Sequence, residues 1–303
     1  MEYLGTDKLV NKIQPTVSVC VPTYQHVKYI NQCLASILNQ QIKVPYEIII
    51  GEDESTDGTR AICMHYAEKY PDKIRLFLRS RADVISINGL ASGRFNFMEC
   101  LKAARGEYVA LCEGDDYWCD EKKLQQQFNF LNEHKDFSMT VHNSEIVDEQ
   151  GKWIGRYGNW HEDLVLTHND FHKKILAGPT ASYFFRNDFN LPTWFDKVYG
   201  ADAALYFLLS KKGKILCQAK IMSVYRKHST SIESNFRGMA VSALRKAELY
   251  FFYFRLTWKF DLLKKTMFAA ANYLWRSIKH GDFYSFIKIG KSFSRAVKLP
   301  IKD

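Results

Sequence analysis

Short apolar runs rich in β-branched residues alternate with amphipathic helical patterns through the first 120 residues of this 303-residue chain. Val17–Val21 (VSVCV) ends at Pro22, and YINQCLASILNQ follows with Ile30, Leu34, Ile37 and Leu38 on one helical face. Tyr46–Ile50 (YEIII) is the next run. Thr59–Tyr70 then reads as a helix, with Ser55, Thr56 and Asp57 before it as capping residues and Pro71 as its stop. Ile74–Leu78, a helix over Phe95–Ala104 and the run Glu107–Leu111 continue the pattern. Strands this uniformly apolar are buried on both faces, so the order implies βαβ units. The predicted fold is α/β, a Rossmann-like, mostly parallel sheet with flanking helices.

Beyond residue 120 the pattern loosens. Lys122–Glu133 reads as an amphipathic helix, Phe137–His142 as a strand, GPTASYFF (178–185) as a turn entering a strand, Asp202–Lys211 as a helix and Ile221–His228 as a last strand. Residues 143–177 are polar with few clear periods, and no internal repeat is visible. The C-terminal stretch is different in kind. Residues 238–303 hold 13 Lys+Arg against 4 Asp+Glu, a net of +9, which is the formal charge of the whole chain. Residues 1–237 are therefore balanced, and the division expected is 1–237 as the sheet domain and 238–303 as a basic, aromatic-rich helical extension.

Hydrophobic residues make up 47% of the chain, which excludes global disorder. No stretch of 18 apolar residues exists to cross a membrane. The start, MEYLGTDKLVNKIQP, lacks the basic and apolar regions of a signal peptide. Seven cysteines, an odd number with no CxxC, fall mostly in apolar runs, which suits buried reduced thiols in the cytoplasm rather than disulfides or zinc.

Ligands of open α/β sheets bind beyond the carboxyl ends of the strands. The segments there are PTYQH (22–26), EDESTDGT (52–59), RSRAD (79–83) and CEGDDYW (112–118). Glu113, Asp115 and Asp116 crowd into the last of these, and their mutual repulsion invites a hard divalent cation. The same residues also suit a solvated turn that caps the following helix. The 52–59 segment divides in the same way, with Asp53 free to face a ligand and Asp57 to cap a helix, beside a permissive Gly58.

Taken together, VSVCVPTYQHVKYINQCLASILNQ, EIIIGEDESTDGTR and RGEYVALCEGDDYW, in this order and spacing, resemble family 2 nucleotide-sugar glycosyltransferases of the GT-A fold, over about residues 15–230. The resemblance implies that Pro22, Thr23 and Tyr24 lie against the nucleotide. It matches Glu52 and Asp53 to the nucleotide-binding acidic pair, one of which meets the base, with Glu52 where Asp is usual and Glu54 where Gly is usual. Glu113-Gly114-Asp115 takes the DxD position, with Asp115 as metal ligand and Glu113 near the ribose, a departure from Asp at the first place. Asp116 supports the metal or caps the next helix. His228 stands where related enzymes place a residue near the diphosphate or metal, with Arg226 and Lys227 as phosphate contacts or solvated cations. Asp202, in GADAALYFLL, matches the catalytic base; an Asp leading an apolar helix is otherwise a cap, and Asp196 and Asp188 are the fallbacks. GPTAS would bring small residues near the acceptor or form a plain turn, and Trp118 and Trp194 would stack on sugars or fill the core. The implied cofactor is Mn²⁺ or Mg²⁺, the donor a nucleotide sugar, a UDP-sugar foremost, and the acceptor a glycan or lipid-linked hydroxyl in surface polysaccharide synthesis.

Two other classes compete. A sugar-phosphate nucleotidyltransferase would want a Gly-rich loop after the first strand, and VPTYQHVKYI has no glycine. A degenerate, non-catalytic binding module would not need both Asp115 and Asp202. The tail, RKAELYFFYFRLTWKFDLLKKTMFAAANYLWRSIKH, interleaves aromatic and basic residues. That suits either contact with the inner membrane surface or helical packing and dimerisation; it carries no nucleic-acid motif.

Overall fold

The computed structural model describes residues 1–5, 13–87, 90–171, 178–228, 236–279 and 285–299. They form two compact units. The first holds most of the chain to Phe189 together with Tyr206–Arg226, and the second takes in Asn190–Leu205 and the chain from Lys227.

The first unit is built on one mixed sheet. Its principal strands are β1 (Val17–Thr23), β2 (Tyr46–Glu52), β3 (Ile74–Leu78), β4 (Tyr108–Leu111), β5 (Tyr117–Trp118), β6 (Phe137–Val147), β7 (Phe184–Arg186) and β8 (Lys214–Arg226). Across the sheet the order is β3-β2-β1-β4-β7-β6-β8, with Glu2–Tyr3 outside β3 and Leu164–Leu166 outside β8. The first four are mutually parallel. β7 runs antiparallel to both of its neighbours, and β6 and β8 pair in parallel. The chain steps outward from β1 to β2 and β3, then returns to β4 on the other side of β1. The crevice between the ends of β1 and β4 is thus the topological switch point, where sheets of this kind bind ligands.

Helices α1 (Ile30–Leu38), α2 (Thr59–Lys69), α3 (Arg94–Ala103) and α4 (Lys123–Glu133) cover the sheet. Ile30, Cys33, Leu34 and Ile37 lie at helical spacing and are the buried face of α1. They meet Val19, Val21, Ile48 and Ile50 in the core, where each large aliphatic side chain contributes about 1.5–3 kcal/mol. Every residue of β2 is buried, Glu47 and Glu52 included, around its apolar centre of Ile48, Ile49 and Ile50. All seven cysteines are free thiols, and six are buried.

The second half departs from the predicted pattern. The last strand starts at Lys214 and not at 221, directly after helix α5 (Ala201–Lys212), with Gly213 alone between them. Its middle, Gln218–Lys220, is partly exposed and its pairing with β6 is irregular, so no clean alternation marks it. β6 runs on to Val147, and the region without clear periods holds the edge strands Trp153–Tyr157 and Leu164–Leu166, both largely exposed.

Within the second unit, α6 (Phe236–Thr257), α7 (Phe260–Lys279) and α8 (Ser285–Lys298) pack together. The aromatic run 250–254 is partly core: Phe252 and Tyr253 are buried. Glu248 of α6 is buried and accepts hydrogen bonds from Ser292 Oγ (2.8 Å) and Arg295 Nε (2.8 Å) of α8. Trp194, for which the sequence left sugar stacking and core packing open, is core: it is buried and packs on Phe252 with ring centroids 5.2 Å apart.

Candidate active site

Four loops leave the carboxyl ends of β1 to β4, and backbone hydrogen bonds sew them together. Asp53 N–H donates to Thr23 O (3.1 Å), Arg79 N–H to Glu52 O (2.8 Å), and Gly114 N–H to Pro22 O (3.1 Å). Gln25, held in the left-handed region (φ 58°), is the knot between the first two loops. Its N–H donates to Ser55 Oγ (2.9 Å), and its side-chain carbonyl accepts from Thr56 N–H and Asp57 N–H (3.1 Å each). Asp57 faces backbone, accepting from Val27 N–H and Thr59 N–H at 3.0 Å each.

The acidic pair separates into two roles. Glu52 is fully buried, and both its oxygens are engaged, one by Ser55 N–H (2.7 Å) and the other by the Arg60 guanidinium. It shapes the loop from inside, and its full burial leaves Asp53 as the member of the pair nearer a base. Asp53 is also buried, but only its Oδ2 is paired, to Arg81 Nη1 at 2.6 Å. Its Oδ1 has no protein partner among the described residues. Burial raises the Asp53 pKa, with Glu52 and Glu54 adding to the rise while Arg81 opposes it. The same guanidinium lies over the exposed Tyr24 ring, 4.2 Å from its centroid. Tyr24, Arg81 and Asp53 therefore form an open wall with an aromatic face, a cation and an acceptor, the groups that a nucleobase needs.

The acidic turn crosses close over the first loop. An added Cβ on Gly114 would lie 2.7 Å from Thr23 Cβ and 2.9 Å from His26 Nδ1, so only glycine allows this approach. The approach brings His26 Nε2 to 3.8 Å from Asp115 Oδ2, with both side chains mostly buried. His26 Nδ1 shares a hydrogen bond with Thr23 Oγ1 (3.1 Å), which fixes the ring orientation. Asp116 is buried, and its Oδ1 accepts from Arg226 N–H at 2.8 Å. Its Oδ2 has no partner among the described residues. Burial, then Asp115 and Glu113, push its pKa well above the usual carboxylate range.

Arg226, read as a phosphate contact or a solvated cation, is buried scaffold. It donates to Asp115 O (3.2 Å) and Gln32 Oε1 (2.8 Å) and lies over the rings of Tyr29 and Tyr117. Trp118, expected as a support, is core: its Nε1 donates to Ala181 O (2.9 Å) and the Lys123 ammonium sits 4.0 Å from its ring centroid. No face of its ring remains for a sugar. GPTAS forms a buried turn at the same end of the sheet, Ser182 Oγ donating to Pro179 O (2.7 Å). Glu113 is half-buried, and its carbonyl accepts from Asp116 N–H (3.0 Å).

In the second unit, Asp202 lies in the first turn of α5 after Gly200 (φ 73°), and its Oδ1 accepts from Ala203 N–H at 2.8 Å. His228 is half-buried, two residues along the chain from Arg226. The rest of its polar loop, residues 229–235, lies outside the described residues. The fallback Asp188 belongs to the first unit, at the wrong end of the sheet. β7 pairs Arg186 with Tyr108 at the start of β4, and Asp188 follows it, exposed beside Lys212. His26, Arg81 and Gly114 carried no assigned role in the sequence pattern. Gly114 inside an acidic triplet at a strand end was the one available signal, since a close backbone approach demands glycine.

A parallel half-sheet, a switch point and an acidic turn crossing it define the GT-A class of α/β fold. The chain belongs to glycosyl transferase family 2, whose family model matches residues 18–190. It is 32% identical over 224 residues to an uncharacterized protein of Mycobacterium tuberculosis, covering 71% of this chain and 60% of that one. The chain thus spans about 60% of that mycobacterial relative's length. It is 30% identical over 225 residues to the Bacillus subtilis protein TuaG, named for teichuronic acid biosynthesis, covering 73% of this chain and 83% of that one. Among solved structures, Staphylococcus aureus TarS 1–349 in complex with UDP-GlcNAc matches with a TM-score of 0.53 at 18% identity, over 92% of this chain and 89% of that one. At that identity the likeness concerns the fold.

Proposed function

We propose that this chain transfers a sugar from a nucleoside-diphosphate sugar, a UDP-sugar foremost, to a hydroxyl of a surface glycan or its lipid-linked precursor. The reaction is metal-dependent and inverts the anomeric carbon. One observation carries the reading: the Gly114 crossing sets Asp115 beside His26 at the switch point. The base-binding wall of Tyr24, Arg81 and Asp53 stands on the neighbouring loops.

The residues fit a divalent cation. Asp115 and His26 offer an oxygen and a nitrogen, Asp116 keeps a buried carboxylate oxygen without a partner among the described residues, and Thr23 holds the imidazole in orientation through its hydrogen bond. His228 is the proposed third donor. A bound Mn²⁺ or Mg²⁺ would offset the growing charge of the diphosphate leaving group. The imidazole donors favour Mn²⁺, because Mg²⁺ prefers oxygen. Asp53 and Arg81 hold the base and Tyr24 stacks on it. Glu113 meets the ribose, and Pro22 and Thr23 line its path. Asp202 takes the proton of the acceptor hydroxyl as it attacks, so a single displacement inverts the sugar carbon.

The test is thermal shift against UDP, GDP, CDP and dTDP, each with and without Mn²⁺, on the wild type and Asp115→Ala. A ligand at 100 times its Kd adds about 2.7 kcal/mol. Stabilisation by one diphosphate that needs both the metal and Asp115 supports the reading and names the nucleotide; no stabilisation by any of them refutes it. Asp202→Asn should then lower kcat by about 10²–10⁴ while donor binding persists, and Asp188→Asn should change neither.

A further inference from the structure

Helix α7 is turned inside out for a helix in water. Its buried stripe is Leu262, Thr266, Ala269, Tyr273 and Ser277, three of them small. Its outward stripe is bulkier and more apolar: Phe260 is 69% exposed, Met267 67%, Phe268 73%, Trp275 59% and Ile278 50%. Both stripes run at helical spacing, so the exposed one is a continuous face. Trp258, in the connection before the helix, is 71% exposed and held at φ 56°, a region that bulky side chains rarely occupy. Such strain persists where surrounding structure enforces it and marks functional positions. Here α6 holds it, with Trp258 N–H donating to Phe254 O (2.7 Å) and its ring edge-on to Phe254.

Basic residues are interspersed among the exposed positions of both helices, Lys264 within the α7 stripe itself. Lys264 and Lys279 are exposed on α7, as are Lys288, Lys291 and Lys298 on α8, which adds the exposed apolar Ile287 and Val297. From Trp258 to Leu299 the sequence has nine Lys+Arg against two Asp+Glu. We propose that α7, with Trp258 and the outward face of α8, docks on an anionic lipid bilayer surface. The exposed rings would enter the headgroup boundary, and the lysines would reach lipid phosphates.

Charge decides against a second copy of the chain as the occupant. A symmetric pairing through this face would set two surfaces of like, strongly positive charge together, whereas an anionic bilayer complements both the charge and the apolar face. No described helix is long and apolar enough to cross a membrane, so the contact lies in the plane of the interface. The proposal is independent of the glycosyl-transfer reading.

Flotation of the full chain with vesicles tests it. Phosphatidylcholine alone is compared with phosphatidylcholine containing about a third phosphatidylglycerol. The wild type should float with the anionic vesicles and much less with the neutral ones. Raising salt from about 0.1 M to about 1 M, which shortens the Debye length from about 10 Å to about 3 Å, should weaken it. Phe268→Ser/Trp275→Ser should lower the bound fraction about tenfold or more without lowering the melting temperature, since both side chains face out. Lys264→Glu/Lys279→Glu, which spares the rings, should abolish the preference for anionic vesicles. The proposal is overturned by a wild type that floats with neither vesicle, or by variants that float like it. A solution dimer that the serine variant splits, with no vesicle binding, equally overturns it and assigns the face to self-association.

Discussion

Gly114→Ala isolates the crossing of the acidic turn over the first loop. Gly114 is outside the left-handed region, so alanine meets no backbone penalty and the perturbation is steric. The new Cβ would lie 2.7 Å from Thr23 Cβ and 2.9 Å from His26 Nδ1, with the Thr23 hydroxyl closer still. Ordinary carbon contacts are about 3.5–4.0 Å, so the turn must retreat by roughly 1 Å. Neither neighbour yields easily: Thr23 is buried, and its hydroxyl is bonded to His26. Overpacking costs about 1–3 kcal/mol, and stretching the Gly114–Pro22 hydrogen bond about 0.5–1.5 kcal/mol more. At about 2–4 °C per kcal/mol, melting should fall by roughly 5–15 °C. A displacement near 1 Å at a reacting centre also lowers turnover by about 10²-fold. The assay is a thermal melt with and without Mn²⁺ and the nucleoside diphosphate, alongside donor turnover. Gly93→Ala is the control, because nothing lies within 4 Å of its added Cβ, and it should stay within about 0.5 kcal/mol of wild type. If Gly114→Ala melts within about 1 °C of wild type and keeps its metal–nucleotide response, the crossing does not position Asp115.

His26→Gln should weaken Mn²⁺ binding by calorimetry about 10–100-fold and Mg²⁺ binding far less, since the lost donor is nitrogen; equal losses would remove His26 from the ligand set. Lys123 is buried, and burial pulls its pKa down to about 7, against the nearby Cys112 and Asp120. The folded state therefore binds fewer protons than the unfolded state between about pH 7 and about 10.4. This group's contribution to stability is present above the unfolded value and lost as pH falls through about 7. The stability of Lys123→Met relative to wild type should then decline by up to about 1.4 kcal/mol per pH unit from pH 7 to 9, measured by urea unfolding. A difference that stays flat with pH would show that Lys123 is not depressed.

The parallel half of the sheet was legible because its strands are buried on both faces and leave short apolar runs, as in Ile48, Ile49 and Ile50. The second half was not. Trp153–Tyr157 lies on an exposed edge, and Lys214–Arg226 is irregularly paired, so neither shows a hydrophobic period. Among site residues, the motif pointed to Asp53 and Asp115, but it could not separate Glu52 from Asp53. That distinction rests on Arg60 and Ser55 reaching Glu52, which are contacts across a loop. His26 and Arg81 were invisible for the same reason: each gains a role only when another strand's loop arrives beside it. Arg226 was misread because its type suits a phosphate or solvent, and only burial shows that it serves the fold; burial likewise decides between the two readings of Trp118.

The crowding in CEGDDYW has a consistent electrostatic account. Glu113, Asp115 and Asp116 stand within four residues, and Arg226 reaches their turn from the end of β8. Its guanidinium donates to the Asp115 backbone carbonyl and to Gln32, and its charge faces Tyr29 and Tyr117. It thus braces the turn through hydrogen bonds to neutral groups rather than through the carboxylates themselves. Tyr117 is in the motif because it is one side of that brace. A turn whose crowded carboxylates are held in place is preorganised for a cation, since binding then requires no rearrangement of the ligands. The same logic predicts that the metal and the nucleoside diphosphate bind cooperatively. The diphosphate adds negative charge to a site already rich in it, so without the cation its affinity should collapse. Calorimetric titration of the diphosphate with and without Mn²⁺ measures that coupling directly, and equal affinities would refute the charge account of the turn.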